Sequence, residues 1–352
     1  MKEEYAITVS GLVHRSELGI TLPHEHLLID FSCRYSSAPD ESSLGSQPAL
    51  ADRWRLLRYP AGYRSNLEGK SVDSAVREAL WFKEAGGRTI VDLTGVGLSP
   101  DVKGLRQIAD ATGLNVIAAS GLYIDSSLPQ WVRDATVEEL TDHIVADIER
   151  GGREGIRRGA IGEIAIETAT ELEMKCLRAG AKAQARTGAP CFLHVMSGIL
   201  PQYRSMTDDI ISIYVKEGGA LHKLVLCHQD GSGDDVSYQE RLLKMGLWFE
   251  YDTFGSEGVF AFGDTYIQLP TDSQRIAEVA TLIGRGFLGQ LLISQDVCYQ
   301  TGKRSWGGHG LAHILDSLLP RFEAGGIDRA TVMRLMSDNP SRLFSYTTKS
   351  PP

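Results

Sequence analysis

The strongest constraint in this sequence is an alternation. Short apolar, β-branched runs at 19–22, 88–93, 115–120, 160–164, 190–195, 224–227, 247–251 and 291–294 read as strands. Amphipathic stretches of helical period separate them, at 74–85, 102–112, 137–150, 171–186, 208–216, 236–245, 272–283 and 308–319. A last helix at 329–337 is predicted to stop at Asn339-Pro340. Strands alternating with helices predict a parallel sheet, because a parallel partner needs a crossover long enough to hold a helix. Eight strands are the number that closes such a sheet into a (β/α)8 TIM barrel. The rival α/β fold, a doubly wound open sheet, carries a glycine-rich phosphate turn after its first strand. Here the first strand runs into Pro23-His24-Glu25-His26 instead. The 352 residues read as one domain, 1–352, a length common for α/β barrels.

One connection is far longer than the usual two to six residues. It spans 27–73 and carries Arg34, Tyr35, Trp54, Arg55, Arg58, Tyr59, Tyr63 and Arg64. On the active face of a barrel it would serve as a lid or pocket wall; a solvated insertion or a dimer contact is the alternative. The five cysteines are scattered, with no CxxC pair, which argues against a disulfide framework or a thiolate zinc site and fits a reducing compartment. The N-terminus has no apolar run of signal-peptide type, and no stretch is apolar enough for a membrane span. A net charge of -9 argues against nucleic acid or an anionic membrane as partner. The expectation is a cytoplasmic enzyme acting on a small molecule.

A barrel gathers the C-terminal ends of all its strands on one face. Titratable residues stand at those ends in five of the eight strands: His24 and His26 after the first, Glu163 in the fourth, His194 in the fifth, His228 after the sixth and Asp296 after the eighth. In an extended backbone residues i and i+2 point the same way, so His24 and His26 can face one metal. Imidazole with carboxylate suits zinc, manganese, iron or cobalt, and the lack of thiolate argues against a structural zinc site. Four histidines and two acids exceed the needs of one catalytic ion. They suit two divalent metal ions, zinc the first choice, with one carboxylate bridging them. Any one of these residues alone has a structural explanation; the set favours a metal site.

The same residues resemble the phosphotriesterase family of the amidohydrolase superfamily. The resemblance begins at Gly19-Ile20-Thr21-Leu22-Pro23-His24-Glu25-His26. It runs through Arg88-Thr89-Ile90-Val91-Asp92 and Ala119-Ser120-Gly121-Leu122-Tyr123 to Asp338-Asn339-Pro340-Ser341-Arg342-Leu343-Phe344. It implies that His24, His26 and Asp296 bind the more buried metal and His194 and His228 the more exposed one, with a bridging hydroxide. It also implies a homodimer. Glu163 stands where phosphotriesterase and its lactonase relatives have a carboxylated lysine, a departure shared with the phosphotriesterase homology branch. Thr253 follows Asp252 where lactonase relatives carry an arginine.

The resulting hypothesis is a metal-dependent hydrolase in which a metal-bridging hydroxide attacks a small ester, lactone, amide or carbamate. Asp296 takes the proton and passes it to the leaving group. Tyr123 corresponds to a tyrosine near the metals in lactonase-like relatives and could bind the substrate carbonyl, or simply pack on a loop. Asp230 and Asp252 either orient ligands or cap neighbouring helices. Tyr299, Lys303, Arg304 and Trp306 after strand eight, with Phe254, Phe260, Phe262 and Tyr266 after strand seven, would wall an aromatic pocket with nearby cations. His309 and His313 are spaced to chelate zinc but have no third ligand, which favours a structural role. The alternatives are organophosphate hydrolysis and, from another class, a non-catalytic small-ligand-binding protein on the same barrel.

Overall fold

A computed structural model describes residues 4–38, 50–262 and 265–345, the side chains of 260–265 excepted. Its centre is a parallel sheet of eight strands: β1 (Thr21–Glu25), β2 (Thr89–Asp92), β3 (Asn115–Leu122), β4 (Ala160–Ile166), β5 (Cys191–Val195), β6 (Leu224–Leu226), β7 (Trp248–Tyr251) and β8 (Leu291–Ile293). The strands neighbour one another in sequence order, as right-handed βαβ units dictate. The predicted strands lie within a few residues of these bounds. The seam between β8 and β1 is bridged by side chains. Ser294 Oγ lies 2.9 Å from His24 O and 2.8 Å from Glu25 Oε1, its one hydrogen serving either, and Glu25 accepts from Gln295 N and Val297 N, both at 2.9 Å. The result is the (β/α)8 TIM barrel.

Local chemistry sets the helix ends. The helix Val137–Arg150 opens on a capping box between Thr136 and Glu139, and Glu171–Thr187 opens on the same device at Thr170 and Glu173. Inward side chains including Val91, Ile117, Ala160, Phe192, Val225 and Leu292 fill the barrel. Phe344 closes its N-terminal end, its ring stacked 5.7 Å from that of Phe192. The opposite end is thereby left for the polar residues.

Three elements depart from the sequence expectation. The helix expected at 308–319 begins only at Ile314 and continues through Leu319–Ala324; Gly307 and Gly310 both adopt positive φ, which keeps the preceding segment a loop. Asn339-Pro340 does not end the chain's helical course. Pro340 sits in the first turn of the helix Asn339–Phe344, where its missing N–H is no loss. The long connection is folded rather than open: Ile29–Asp30 pairs antiparallel with Glu68–Gly69, and Arg53–Arg58 and Arg64–Leu67 are helical. Residues 39–49 of that connection lie outside the described residues. Two antiparallel hairpins were not anticipated, Tyr5–Thr8 with Gly11–His14 and Gly258–Phe262 with Thr265–Leu269.

Candidate active site

The floor of the site is built by strand ends. His24 lies in β1 with His26 just beyond it, and the two rings meet edge to face at 5.5 Å. Glu163 sits where the β3–β4 register shifts, a bulge that re-aims a side chain. The strands approach there so closely that a Cβ on Gly121 would fall 2.2 Å from Gly162 O. His194 comes from β5. His228 and Asp296 follow β6 and β8 with φ of 59° and 48°, the left-handed region that costs a non-glycine residue ~1–3 kcal/mol.

All six side chains converge. Glu163 lies between two groups: Oε2 stands 3.7 Å from His26 Nε2, and Oε1 stands 3.5 Å from His24 Nε2, 3.2 Å from His194 Nδ1 and 3.4 Å from His228 Nε2. Asp296 Oδ1 is 3.5 Å from His26 Nε2 and 3.9 Å from His24 Nε2. A tetrahedral zinc site with arms of about 2.1 Å has edges of about 3.4 Å between ligand atoms, so these spacings match a ligand shell. Two buried atoms supply the test of fit. His24 Nε2 and Asp296 Oδ1 have no hydrogen-bond partner, although burying such a group unpaired costs ~1–3 kcal/mol. Both aim into the cluster, and a cation there would satisfy them.

The imidazoles are held from behind. His24 Nδ1 faces Glu250 Oε2 at 2.9 Å and Asp252 Oδ2 at 3.2 Å. His228 Nδ1 faces Asp252 Oδ1 at 3.0 Å, and its backbone N donates to Asp252 Oδ2 at 2.9 Å. His26 Nδ1 faces Thr94 Oγ1 at 2.9 Å. A carboxylate on Nδ1 leaves the lone pair on Nε2, where the cluster needs it. Burial works against a charged Glu163, yet His194, His228 and His24 hold its carboxyl well below the usual range. Burial, against Glu163 and with the neighbouring histidines, brings His26 down to about 3. Both residues thus stand in the forms that bind metal.

Above the floor lies a cavity of about 360 Å³ lined by Phe31, Arg34, Tyr123, Tyr203, Thr253 and Tyr299, among others. Tyr123 is buried, and its ring lies 5.4 Å from that of His194. The expected wall is corrected in several places. Lys303 and Arg304 do not line the cavity; Arg304 pairs with Asp316 at 2.6 Å, and Lys303 is buried in its loop. Trp306 packs with Leu56 and Tyr63, Phe254 packs on Phe322, and Tyr266 is exposed on the hairpin. The side chains of Phe260 and Phe262 lie outside the described residues. Asp230 caps no helix: it accepts from Arg275 Nε at 2.7 Å and from Thr253. That fully buried guanidinium also donates to Thr253 Oγ1 at 2.6 Å, so an arginine does reach the loop after β7, behind the cavity wall. His313 pairs with Asp272 at 2.8 Å, and no metal-spaced group among the described residues includes His309 or His313.

Sequence reasoning passed over Glu25, Glu250 and Thr94. An acid in a strand buried on both faces was the available signal for the two glutamates. Nothing marked Thr94.

A barrel whose strand ends converge titratable groups on a cavity is built as an enzyme is built. Comparison with known proteins gives the class. The model of the phosphotriesterase family matches residues 5–344. An N-acetyltaurine hydrolase of Salmo salar is 34% identical over 345 residues, 96% of this chain and 97% of that protein. A resiniferatoxin-binding protein from Rhodobacter sphaeroides superposes with a TM-score of 0.91 at 33% identity, covering 97% of this chain and 94% of its own. A lactonase from Listeria monocytogenes superposes with a TM-score of 0.75 at 25% identity, covering 98% and 100%. The chain belongs to the phosphotriesterase family. It is a hydrolase, and its relatives act on small molecules.

Proposed function

We propose that this protein hydrolyses the amide bond of a small N-acyl compound at a centre of two divalent metal ions. His24, His26 and Asp296 would hold one ion, His194 and His228 the other, and Glu163 both. The observation that carries the reading is the pair of unpartnered buried atoms, His24 Nε2 and Asp296 Oδ1, facing into a complete set of ligand-type groups. When bound, such a pair of ions supplies hydroxide at neutral pH and a Lewis acid for the scissile oxygen.

The chain's own residues supply the rest. Amide cleavage requires a proton on the departing nitrogen. Asp296, whose Oδ1 has no hydrogen-bond partner and faces the cluster, is the carboxylate placed to take a proton and deliver it. Tyr123 Oη accepts from Arg34 Nη2 at 2.8 Å, which leaves its own hydrogen free to donate to the substrate carbonyl. The similarity to N-acetyltaurine hydrolases supports an amide over a lactone or ester, and the weaker similarity to a lactonase makes those the second choice. Zinc is the first choice of metal, with manganese, iron and cobalt accepted by the same donors. The reading extends to a cytoplasmic homodimer. Free cysteines fit the compartment, and Leu50, Trp54 and Leu57, exposed at helical spacing, fit a subunit contact.

The test is metal content on protein purified without chelator, with hydrolysis of N-acetyltaurine and N-acetyl amino acids before chelation, after it and after add-back. The expected result is close to two ions per chain and activity that is lost and restored. Absence of stoichiometric metal after reconstitution would overturn the proposal. Full metal occupancy with no hydrolysis of amide, ester or lactone would favour a binding protein.

A further inference from the structure

At the edge of the cluster two side-chain nitrogens, Arg34 Nη2 and His194 Nε2, face each other at 3.4 Å. His194 turns Nδ1 inward, 3.2 Å from Glu163 Oε1 and 2.9 Å from His228 Nε2. With the Nδ1 lone pair given to a metal ion, as the proposed centre requires, the ring proton stands on the outward Nε2. That Nε2 stands 3.4 Å from Arg34 Nη2, and a guanidinium has no lone pair to offer. Arg34 is otherwise engaged. Nη1 pairs with Glu167, and Nη2 gives one hydrogen to Tyr123 Oη at 2.8 Å. The second Nη2 hydrogen is left directed at the imidazole. The guanidinium is clamped there, 5.2 Å from the Tyr123 ring and 5.9 Å from the Phe31 ring.

Charge sharpens the point. Glu163, Glu167, Asp230 and Asp296 all line the cavity, and among the described residues Arg34 is its one arginine or lysine. A substrate without charge would have no use for a second donor beside His194 Nε2–H. An anionic oxygen can accept from both at once.

We propose that Arg34 Nη2 and His194 Nε2 together bind an anionic oxygen of the substrate, a carboxylate or sulfonate carried one short linker from the scissile carbonyl. This rests on the reading of the chain as an amide hydrolase and names the substrate class: N-acylated amino acids or amino sulfonates. Arg34 is then the residue that selects them. The oxygen accepts from both donors and relieves their apposition, while Nη1 keeps its bond to Glu167.

The experiment compares metal-loaded wild type, Arg34→Gln and Arg34→Lys. The first readout is the ratio of kcat/KM for an N-acetyl amino sulfonate to that for the neutral N-acetyl alkylamine of equal length. The second is calorimetric binding of 1-propanesulfonate and of a neutral propyl sulfone. Losing a charge-assisted hydrogen bond should lower the anion-to-neutral ratio roughly 10- to 100-fold in Arg34→Gln. The same variant should lose propanesulfonate affinity by a similar factor, and Arg34→Lys should recover part of both. A ratio equal to that of wild type in Arg34→Gln, in a variant that melts normally, overturns the inference and leaves the hydrolase reading intact. Arg34-dependent sulfonate binding without amide cleavage would do the reverse.

Discussion

Glu25 offers the sharpest test of how the fold delivers the site. It stands between His24 and His26, faces away from them, and reaches across the barrel seam. Its Oε1 accepts from Ser294 Oγ and Gln295 N, its Oε2 from Val297 N at 2.9 Å. The two backbone donors flank Asp296, whose φ of 48° needs outside support. Burial pushes the carboxyl up to about 8. On each oxygen one partner is an obligate backbone donor, Gln295 N on Oε1 and Val297 N on Oε2, whereas the Ser294 hydroxyl can turn to accept. In Glu25→Gln one oxygen becomes NH2 and faces Val297 N–H, leaving that donor unpaired at a cost of ~1–3 kcal/mol. An unfolding entropy of ~2.1 cal/mol/K per residue converts this to a fall in Tm of roughly 1–4 °C for a chain of this length. In Glu25→Ala both flanking N–H groups are orphaned, at about 2–6 kcal/mol. Because the clamp sets Asp296 against His24 and His26, metal affinity should fall about 10- to 100-fold in either variant, as for other groups that orient ligands. Scanning calorimetry and competitive metal titration read the two effects. A Glu25→Gln protein with wild-type Tm and metal affinity would refute the reasoning.

Further outcomes follow from the same geometry. Asp252→Asn removes the charge and turns one of the two acceptor oxygens behind His228 and His24 into a donor; metal affinity should fall about 10- to 100-fold with little change in far-UV circular dichroism. Arg275→Leu leaves Asp230 buried without its cation and Asp272 with only His313 and Arg321, and chemical denaturation should show a loss of about 3–5 kcal/mol. His309 is held down to about 4 by burial and by His313. Its folded pKa lies below the unfolded value, so its contribution is complete above about pH 6.5 and lost as pH falls toward 4. His309→Gln should flatten the acid side of the stability profile by roughly 1–3 kcal/mol, a figure reduced for the partial exposure of the ring. Thermal melts from pH 7 to 4 would show whether the difference between variant and wild type grows on acidification.

The fold was legible because its parts are periodic. Buried parallel strands write themselves as β-branched runs, and capping boxes such as Thr170 with Glu173 mark helix starts within a residue. What escaped was aperiodic or long-range. The hairpin Tyr5–Thr8 with Gly11–His14 is too short for period alone to separate it from a loop. Pro340 reads as a stop because proline ends helices from within, and only the preceding wide turn Arg334–Asp338 reveals it as a first-turn residue. The segment 308–313 shares the apolar spacing of the helix that follows it, but Gly308 and Gly310 weaken it, and the positive φ of Gly310 keeps it a loop.

The floor of the site was legible for a different reason. Barrel topology turns strand-end positions separated by scores of residues into neighbours, so the residue types at those ends already carry the coordination chemistry. The wall has no such rule. Lys303, Arg304 and Trp306 occupy the right loop and face elsewhere, while Arg34, from a connection whose path no pattern dictates, reaches His194. Arg275 makes the same point from the other side. The sequence has threonine where lactonase relatives have arginine, yet a guanidinium from the following helix lies 2.6 Å from that threonine. It is spent on Asp230 and Asp272, sealed behind the wall. A guanidinium can therefore stand beside Thr253 without facing the cavity, whose arginine is Arg34 from the first connection. If substrate choice follows the accessible guanidinium, exchanging Arg34 should shift selectivity between anionic and neutral amides, whereas exchanging Arg275 should cost stability and leave that ratio where it was.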